Sequence, residues 1–342
     1  AGMETVSSAG VFPAGGFMNE PVLKSPFPAF GGKARIADAV IARLDGNSPC
    51  RNWVEPFAFS AAVTLRRAPG PVETINDRNA FVANFWRAVR ADPEAVAAHA
   101  DWPVSEVDLH ARHRRLVGSD AAAAQLAEVR EDPDAYDAKI AGWWCWGACC
   151  WIGSGWCDEA PQLPHMGGGQ GVIRPSPKLP HMDAAGRGVH GTPDDTHRPQ
   201  LADAFSRGRG VNGNDSASAC DDRRAWLVGW MRRLADRLRP VRVCCGHWDR
   251  ACDSPSTLTR LGTTGVFLDP PYRTSLACGE SNRTKHLYAS DRNQDINALC
   301  DEVQAWCLKW GADPQVRIAL CGLEGEYPEI DRLVAAGEWK VL

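Results

Sequence analysis

The stretch Gly265-Val266-Phe267-Leu268-Asp269-Pro270-Pro271-Tyr272 decides the fold. Its apolar part is short and uninterrupted, and it ends on an acid followed by two prolines. A short apolar run bounded by a turn signal fits a strand buried on both faces. Proline fixes φ and removes a backbone donor, so the chain must leave the sheet at Pro270. The same pattern recurs on either side of this stretch. Val241–Cys245 reads as a strand closed by Gly246, and Arg317–Cys321 as another. Toward the N-terminus, Trp53-Val54 runs into Glu55-Pro56-Phe57, and Glu73-Thr74-Ile75 is closed by Asn76-Asp77. Between these runs the apolar residues change to helical spacing: Ile36, Val40, Ile41 and Leu44; then Phe81, Val82, Phe85, Trp86 and Val89. Helices are also predicted over 60–65, 225–238 and 296–310. Strands alternating with helices predict an α/β domain with a mostly parallel sheet. Ligands of such sheets gather beyond the carboxyl ends of the strands. Glu55, Asp77, His247 and Asp269 all fall at such ends, so one cleft can collect them.

The chain has 342 residues, 44% of them hydrophobic, enough for one large domain or a domain carrying an insertion. No run of about 18 apolar residues occurs, so no membrane-spanning helix is expected. The N-terminal segment 1–23 lacks a basic stretch followed by an apolar one. It reads as a flexible lead-in rather than a signal peptide. Thirteen scattered cysteines, an odd number, point to reduced thiols and a cytoplasmic setting. The net charge of −4 does not advertise a polyanionic partner, although a local basic groove matters more than the total.

The middle of the chain differs. Residues 93–142 are polar and helical in pattern. From Trp143-Trp144-Cys145-Trp146 onward, glycine, proline and histidine dominate to about residue 220. Leu163-Pro164-His165-Met166 recurs as Leu179-Pro180-His181-Met182, too short a repeat for a solenoid. The organisation read from this is a core of 24–92 and 221–342, with 93–220 inserted and 158–215 rich in loops. Cys145, Cys149, Cys150 and Cys157, with His165, His181 and His190 beyond, raise a zinc site. No pair of Cys-x-x-Cys knuckles is present, and the interleaved tryptophans favour buried thiols in an aromatic cluster, so no metal is expected. Arg174, Lys178, Arg187, Arg198, Arg207 and Arg209 lie among glycines and suit contacts to phosphates. Arg283 and Lys285, beyond the Asp-Pro-Pro-Tyr turn, are further candidates for backbone contact.

Asp269-Pro270-Pro271-Tyr272 carries the most specific chemistry. The lone pair of an exocyclic amine on a base is delocalised into the ring. A carboxylate and a backbone carbonyl that accept its two hydrogens favour a tetrahedral nitrogen able to attack an electrophile. The prolines stiffen the turn that aims the carbonyl, and the tyrosine ring can stack on an extruded base. Ahead of the first helix, Phe30-Gly31-Gly32-Lys33 can bring backbone N–H groups and a charge to an anion. Glu55-Pro56-Phe57 and then Asp77 follow strands, where an acid commonly holds ribose hydroxyls.

Gly-Gly-Lys, Glu-Pro-Phe, Asn-Asp-x-Asn, a variable region and Asp-Pro-Pro-Tyr, in this order, resemble the Dam-like family of adenine-specific DNA methyltransferases. The resemblance covers roughly residues 24 to 327, including Ile-Ala-Leu-Cys-Gly at 318–322. Its Trp/Cys-rich stretch at 143–157 is similar to that of phage and prophage members. The resemblance implies a Rossmann-like methyltransferase core, an inserted recognition region, S-adenosylmethionine as methyl donor and double-stranded DNA as partner, with the chain read as a monomer. It implies that Phe30, Gly31, Gly32, Lys33, Glu55, Pro56 and Phe57 line the donor site and that Asp77 binds the ribose. His247 and Trp248 would meet the donor's adenine. Asp269, Pro270, Pro271 and Tyr272 would hold the target amine and base. Two positions depart from the pattern. Phe57-Ala58-Phe59 stands where the family has Phe-x-Gly, and Cys245-Gly246-His247-Trp248 where it has Cys-Gly-Asp-Trp. Three alternatives stand beside N6-adenine methylation: a DNA-binding relative without donor use, transfer of a different group, and cytosine N4 chemistry.

Overall fold

A computed structural model describes residues 23–29, 33–151, 156–157, 217–273 and 295–341, without the side chains of 217–223. Five strands form one parallel sheet: β1 (Asn52–Glu55), β2 (Val72–Asp77), β3 (Val241–Cys245), β4 (Thr264–Leu268) and β5 (Val316–Leu320), in the order β3-β2-β1-β4-β5. This confirms the α/β class with a Rossmann-like core. The chain winds outward from β1 through β2 to β3, then returns to the other side of β1 with β4 and β5. Right-handed crossovers therefore put the early helices on one face and the later ones on the other.

On the first face lie α1 (Ala37–Asp45), α2 (Ala62–Arg66), α3 (Ala80–Ala91) and α8 (Ala217–Leu238). Trp53 and Phe267 pack there against Val40 and Leu44 of α1. Gly265 makes room for this: a β-carbon at that position would come 3.0 Å from the Trp53 ring and 3.1 Å from Cys50 Sγ. On the second face Val54, Val266 and Leu268 meet Leu299, Val303 and Trp306 of α9 (Ile296–Trp310), with α10 (Pro328–Ala335) alongside. Strand residues on both sides of β1 and β4 are thus buried, which is why these strands read as unbroken apolar runs.

Residues 93–150 form four helices: α4 (Pro93–Ala100), α5 (Glu106–Gly118), α6 (Asp120–Glu131) and α7 (Ala138–Cys150). Each begins at a capping side chain: Asp92, Ser105, Ser119 and Asp137. The Trp/Cys run expected to open the irregular segment is instead the second half of α7. Its tryptophans and thiols fill the interface between α7 and α3, a tertiary reward that residue-type preference does not carry. Trp144 and Trp146 are buried, and Trp143 meets the cations of Arg112 and Lys139, so these rings pack within the fold. The described cysteines are free thiols, and no metal-holding group of three His, Cys, Asp or Glu occurs among the described residues. No helix of the described residues is long and apolar enough to cross a membrane.

Strand β3 lies at the sheet edge, where unpaired carbonyls invite association. Arg87 and Arg90 of α3 cover it. Arg87 Nε donates to the Val243 carbonyl at 3.1 Å and Arg90 Nη1 to that of Val241 at 2.9 Å. Arg87 Nη1 also donates to the carbonyls of Val129 (2.7 Å) and Asp132 (2.8 Å), which ties the end of α6 to the sheet. Burial lowers the Arg87 pKa from its usual value.

Candidate active site at the carboxyl edge of the sheet

The strand order reverses between β1 and β4, and the loops leaving their carboxyl ends diverge there. That divergence opens the crevice in which parallel sheets hold ligands. Glu55 closes β1, Asp77 closes β2, His247 follows β3 and Asp269 follows β4. All four stand at the same edge of the sheet, as their places at strand ends predict. Asn76 ties the edge together, its side-chain amide donating to the carbonyls of Pro56 (3.0 Å) and Gly246 (3.1 Å).

Asp269 lies beside the crevice. Lys33, in a 3-10 turn at Lys33–Arg35, brings its ammonium 2.7 Å from Asp269 Oδ1 and donates to the Tyr272 hydroxyl at 3.1 Å. Burial raises the Asp269 pKa, against the opposing pull of Lys33 and of the Cys321 thiol. Burial alone would lower the Lys33 pKa, but the charge and hydrogen bond of Asp269 outweigh it and the net shift is upward. The Cys321 thiol is pushed up to about 12, by burial and then by the Asp269 charge, so it is a neutral donor rather than a nucleophile. Among the described residues no donor meets the Pro270 carbonyl.

Glu55 is fully buried. Its Oε2 accepts from the Thr64 backbone N–H at 3.0 Å and from Thr64 Oγ1 at 2.5 Å, which fixes the start of α2. Burial, opposed by these bonds and aided by the nearby Asp269 charge, raises its pKa to about 7. Its Oε2 is therefore engaged by the start of α2. Asp77 Oδ2 accepts from the Phe59 N–H (2.9 Å) and Oδ1 from the Asn79 N–H (2.8 Å). These bonds fix the Asp77 carboxylate at the end of β2, facing the loop that carries Phe59.

Phe59 takes φ +35°, the backbone conformation that glycine adopts most readily. Its N–H is held by Asp77 and its carbonyl accepts from Trp86 Nε1 at 2.8 Å. The ring packs edge-on against Phe27 (5.4 Å between centroids) and Trp144 (6.4 Å). The large residue thus keeps a glycine-like backbone path and lodges its ring in the aromatic cluster shared with α3 and α7. Phe57 stacks on Trp248 at 5.7 Å, and Trp248 packs in turn on Trp306. Trp248 is only 4% exposed, so it shapes the wall and offers little surface to a ligand. His247 faces two acids: Nδ1 lies 2.8 Å from Asp249 Oδ1 and Nε2 3.6 Å from Glu302 Oε2.

Phe30, Gly31, Gly32, Arg174, Lys178, Arg187, Arg198, Arg207, Arg209, Arg283 and Lys285 lie outside the described residues, as do the repeated Leu-Pro-His-Met segments. Sequence reasoning missed Cys321 and Thr64. Cys321 was within reach of it: Leu268 pairs with Leu320, so the next residues, Asp269 and Cys321, are neighbours once β5 is set beside β4.

The fold and site define an α/β protein with a carboxylate-bearing turn at the switch point of a parallel sheet. No protein-family model matches the chain, and no curated protein matches it.

Proposed function

We propose that the chain transfers a methyl group from S-adenosylmethionine to the N6 amine of adenine in DNA. The observation that carries this reading is the Asp269-Pro270-Pro271-Tyr272 turn. It sets a desolvated carboxylate, a carbonyl with no donor among the described residues and an aromatic ring together at the crevice. Asp269 and the Pro270 carbonyl accept the two amine hydrogens, and Tyr272 stacks on the extruded base. The nitrogen lone pair would thereby be freed to form the new N–C bond as the methyl's bond to the donor sulfur breaks, its electron pair leaving on the neutral thioether, and the surplus proton would leave through Asp269 to water. The protein's part is orientation and electrostatics.

The residues fit the donor. Phe59 keeps the backbone path of a glycine with its ring turned into the aromatic cluster, and Asp77, at the end of β2, is held at the crevice by the Phe59 and Asn79 N–H groups. Pro56, Phe57, Asp77 and His247 would hold S-adenosylmethionine, which supplies an electrophilic methyl group on a sulfonium. Unmethylated DNA incubated with donor and protein, then digested and analysed by mass spectrometry, should contain N6-methyladenine. Asp269→Ala and Tyr272→Ala should abolish it. Donor binding without any methylated base would defeat the reading, and N4-methylcytosine would redirect it.

His247 favours a second reading, a DNA-binding relative without donor use. An imidazole whose two nitrogens face Asp249 and Glu302 is poorly disposed to accept a hydrogen bond from an adenine amine. Calorimetric titration with S-adenosylmethionine or sinefungin separates the two readings, and micromolar binding removes the second.

A further inference from the structure

The segment leaving Tyr272 is held from the far side by residues that no strand-end motif contains. Glu326, with 0% exposure, lies in the loop between β5 and α10. Its Oε1 accepts a short hydrogen bond from the Arg273 backbone N–H, and its Oε2 accepts from the Leu323 N–H at 2.8 Å. The Glu326 carbonyl takes Arg273 Nε at 2.8 Å, and the Arg273 guanidinium pairs with Asp301 of α9. Cys300 of α9 donates its thiol to the Pro271 carbonyl at 3.4 Å and lies 3.7 Å from Glu326 Oε1. Burial, then the charge of Glu326, pushes this thiol up to about 11, so it stays a neutral donor at physiological pH.

The turn is thus gripped at successive points. Lys33 and Cys321 hold Asp269, Cys300 holds the Pro271 carbonyl, and Glu326 holds the Arg273 amide. The Pro270 carbonyl lies between the gripped points, and no described donor meets it. A buried carboxylate that accepts backbone N–H groups from two different loops is costly to desolvate and is satisfied only in this arrangement.

We infer that Glu326, with Cys300, is a positioning residue: the pair fixes the turn so that the Pro270 carbonyl and the Tyr272 ring face the target base. The inference rests on the proposed base chemistry for its consequence, but the grip can be measured without it. Neither residue touches the reacting atoms. Glutamine is a poor substitute at 326, because both oxygens accept from N–H groups and an amide would set a donor against one of them.

The test compares the full chain with Glu326→Gln, Glu326→Asp and Cys300→Ala. Two quantities are read: amide hydrogen exchange across 268–273, and single-turnover methyl transfer with DNA affinity measured in parallel. Glu326→Gln should raise exchange of the Arg273 amide about tenfold or more and slow transfer about a hundredfold, a loss on the scale of a misplaced reacting group. DNA affinity should stay within about threefold, the scale on which uniform binding is judged intact. Glu326→Asp should recover part of the rate. Should Glu326→Gln fail to fold, Cys300→Ala removes the thiol that meets the Pro271 carbonyl and Glu326 Oε1 and should slow transfer several-fold. Unchanged Arg273 exchange in folded Glu326→Gln overturns the inference, as does full-speed transfer by Glu326→Gln or Cys300→Ala. Absence of transfer by the unmodified protein defeats the proposed reaction instead, and the exchange comparison then still decides whether Glu326 grips the turn.

Discussion

The ammonium of Lys33 sits 2.7 Å from Asp269 Oδ1 and also donates to the Tyr272 hydroxyl, so one cation joins the two side chains of the Asp-Pro-Pro-Tyr turn across most of the sequence. Burial raises the Asp269 pKa even with that cation in place. Removing it leaves only the Cys321 thiol to oppose the burial.

Lys33→Met should therefore raise the Asp269 pKa further. The carboxylate must be ionised to accept from the amine, so the rate should climb with pH through this pKa. In the variant the climb should lie at higher pH by about one to three units. A pH profile of single-turnover transfer checks this, and an unshifted acidic limb contradicts it.

Glu55 makes stability pH-dependent with a definite sign. Its pKa is about 7 in the folded chain against an ordinary 4.5. A raised acid contributes stability that is complete below the ordinary value and is lost as pH rises through the folded one. Glu55→Gln stays neutral, so it should gain on the unmodified protein between pH 5 and pH 8. The gain should be on the order of 3 kcal/mol. Urea unfolding at the two pH values measures it, and parallel pH dependences would refute it.

Phe59 combines a left-handed backbone with a ring packed on Phe27 and Trp144. Both Phe59→Ala and Phe59→Gly should be less stable than the unmodified protein, because both lose the ring. The glycine variant should be the more stable of the two by about 1 kcal/mol, since alanine keeps the dihedral penalty. Donor affinity by calorimetry should change little in either. A large gain in affinity would show that the ring obstructs the cleft.

Arg87 bridges the edge strand and the end of α6 through carbonyls alone. Arg87→Ala should cost roughly 3 kcal/mol, the scale of losing charge-assisted hydrogen bonds and leaving carbonyls unmet. It should also expose the β3 edge to association. Urea unfolding and light scattering read the two effects, and a variant as stable and monodisperse as the unmodified protein would contradict both.

The sequence by itself determined the strands, their alternation with helices and the acids at their ends. It could do so because strands buried on both faces must be apolar throughout and must stop at turn residues. Gly265–Leu268 followed by Asp269-Pro270 is the clearest case. That local logic reaches only a few residues along the chain. The Trp/Cys run joins α7 because its rings and thiols find Phe27, Phe85 and Pro26. Phe59 tolerates its backbone because Asp77 and Trp86 hold it from either side. Glu55 is a buried acid whose Oε2 is tied to α2 because Thr64 folds back onto it. Cys321, Cys300 and Glu326 reach the Asp-Pro-Pro-Tyr turn only once β5 is laid beside β4 and α9 packs beneath. Residue type and spacing fix what a side chain can do. Which partners it meets, and so how far its charge is desolvated and its carbonyl left open, depends on contacts between segments far apart in sequence, and only the tertiary structure decided those.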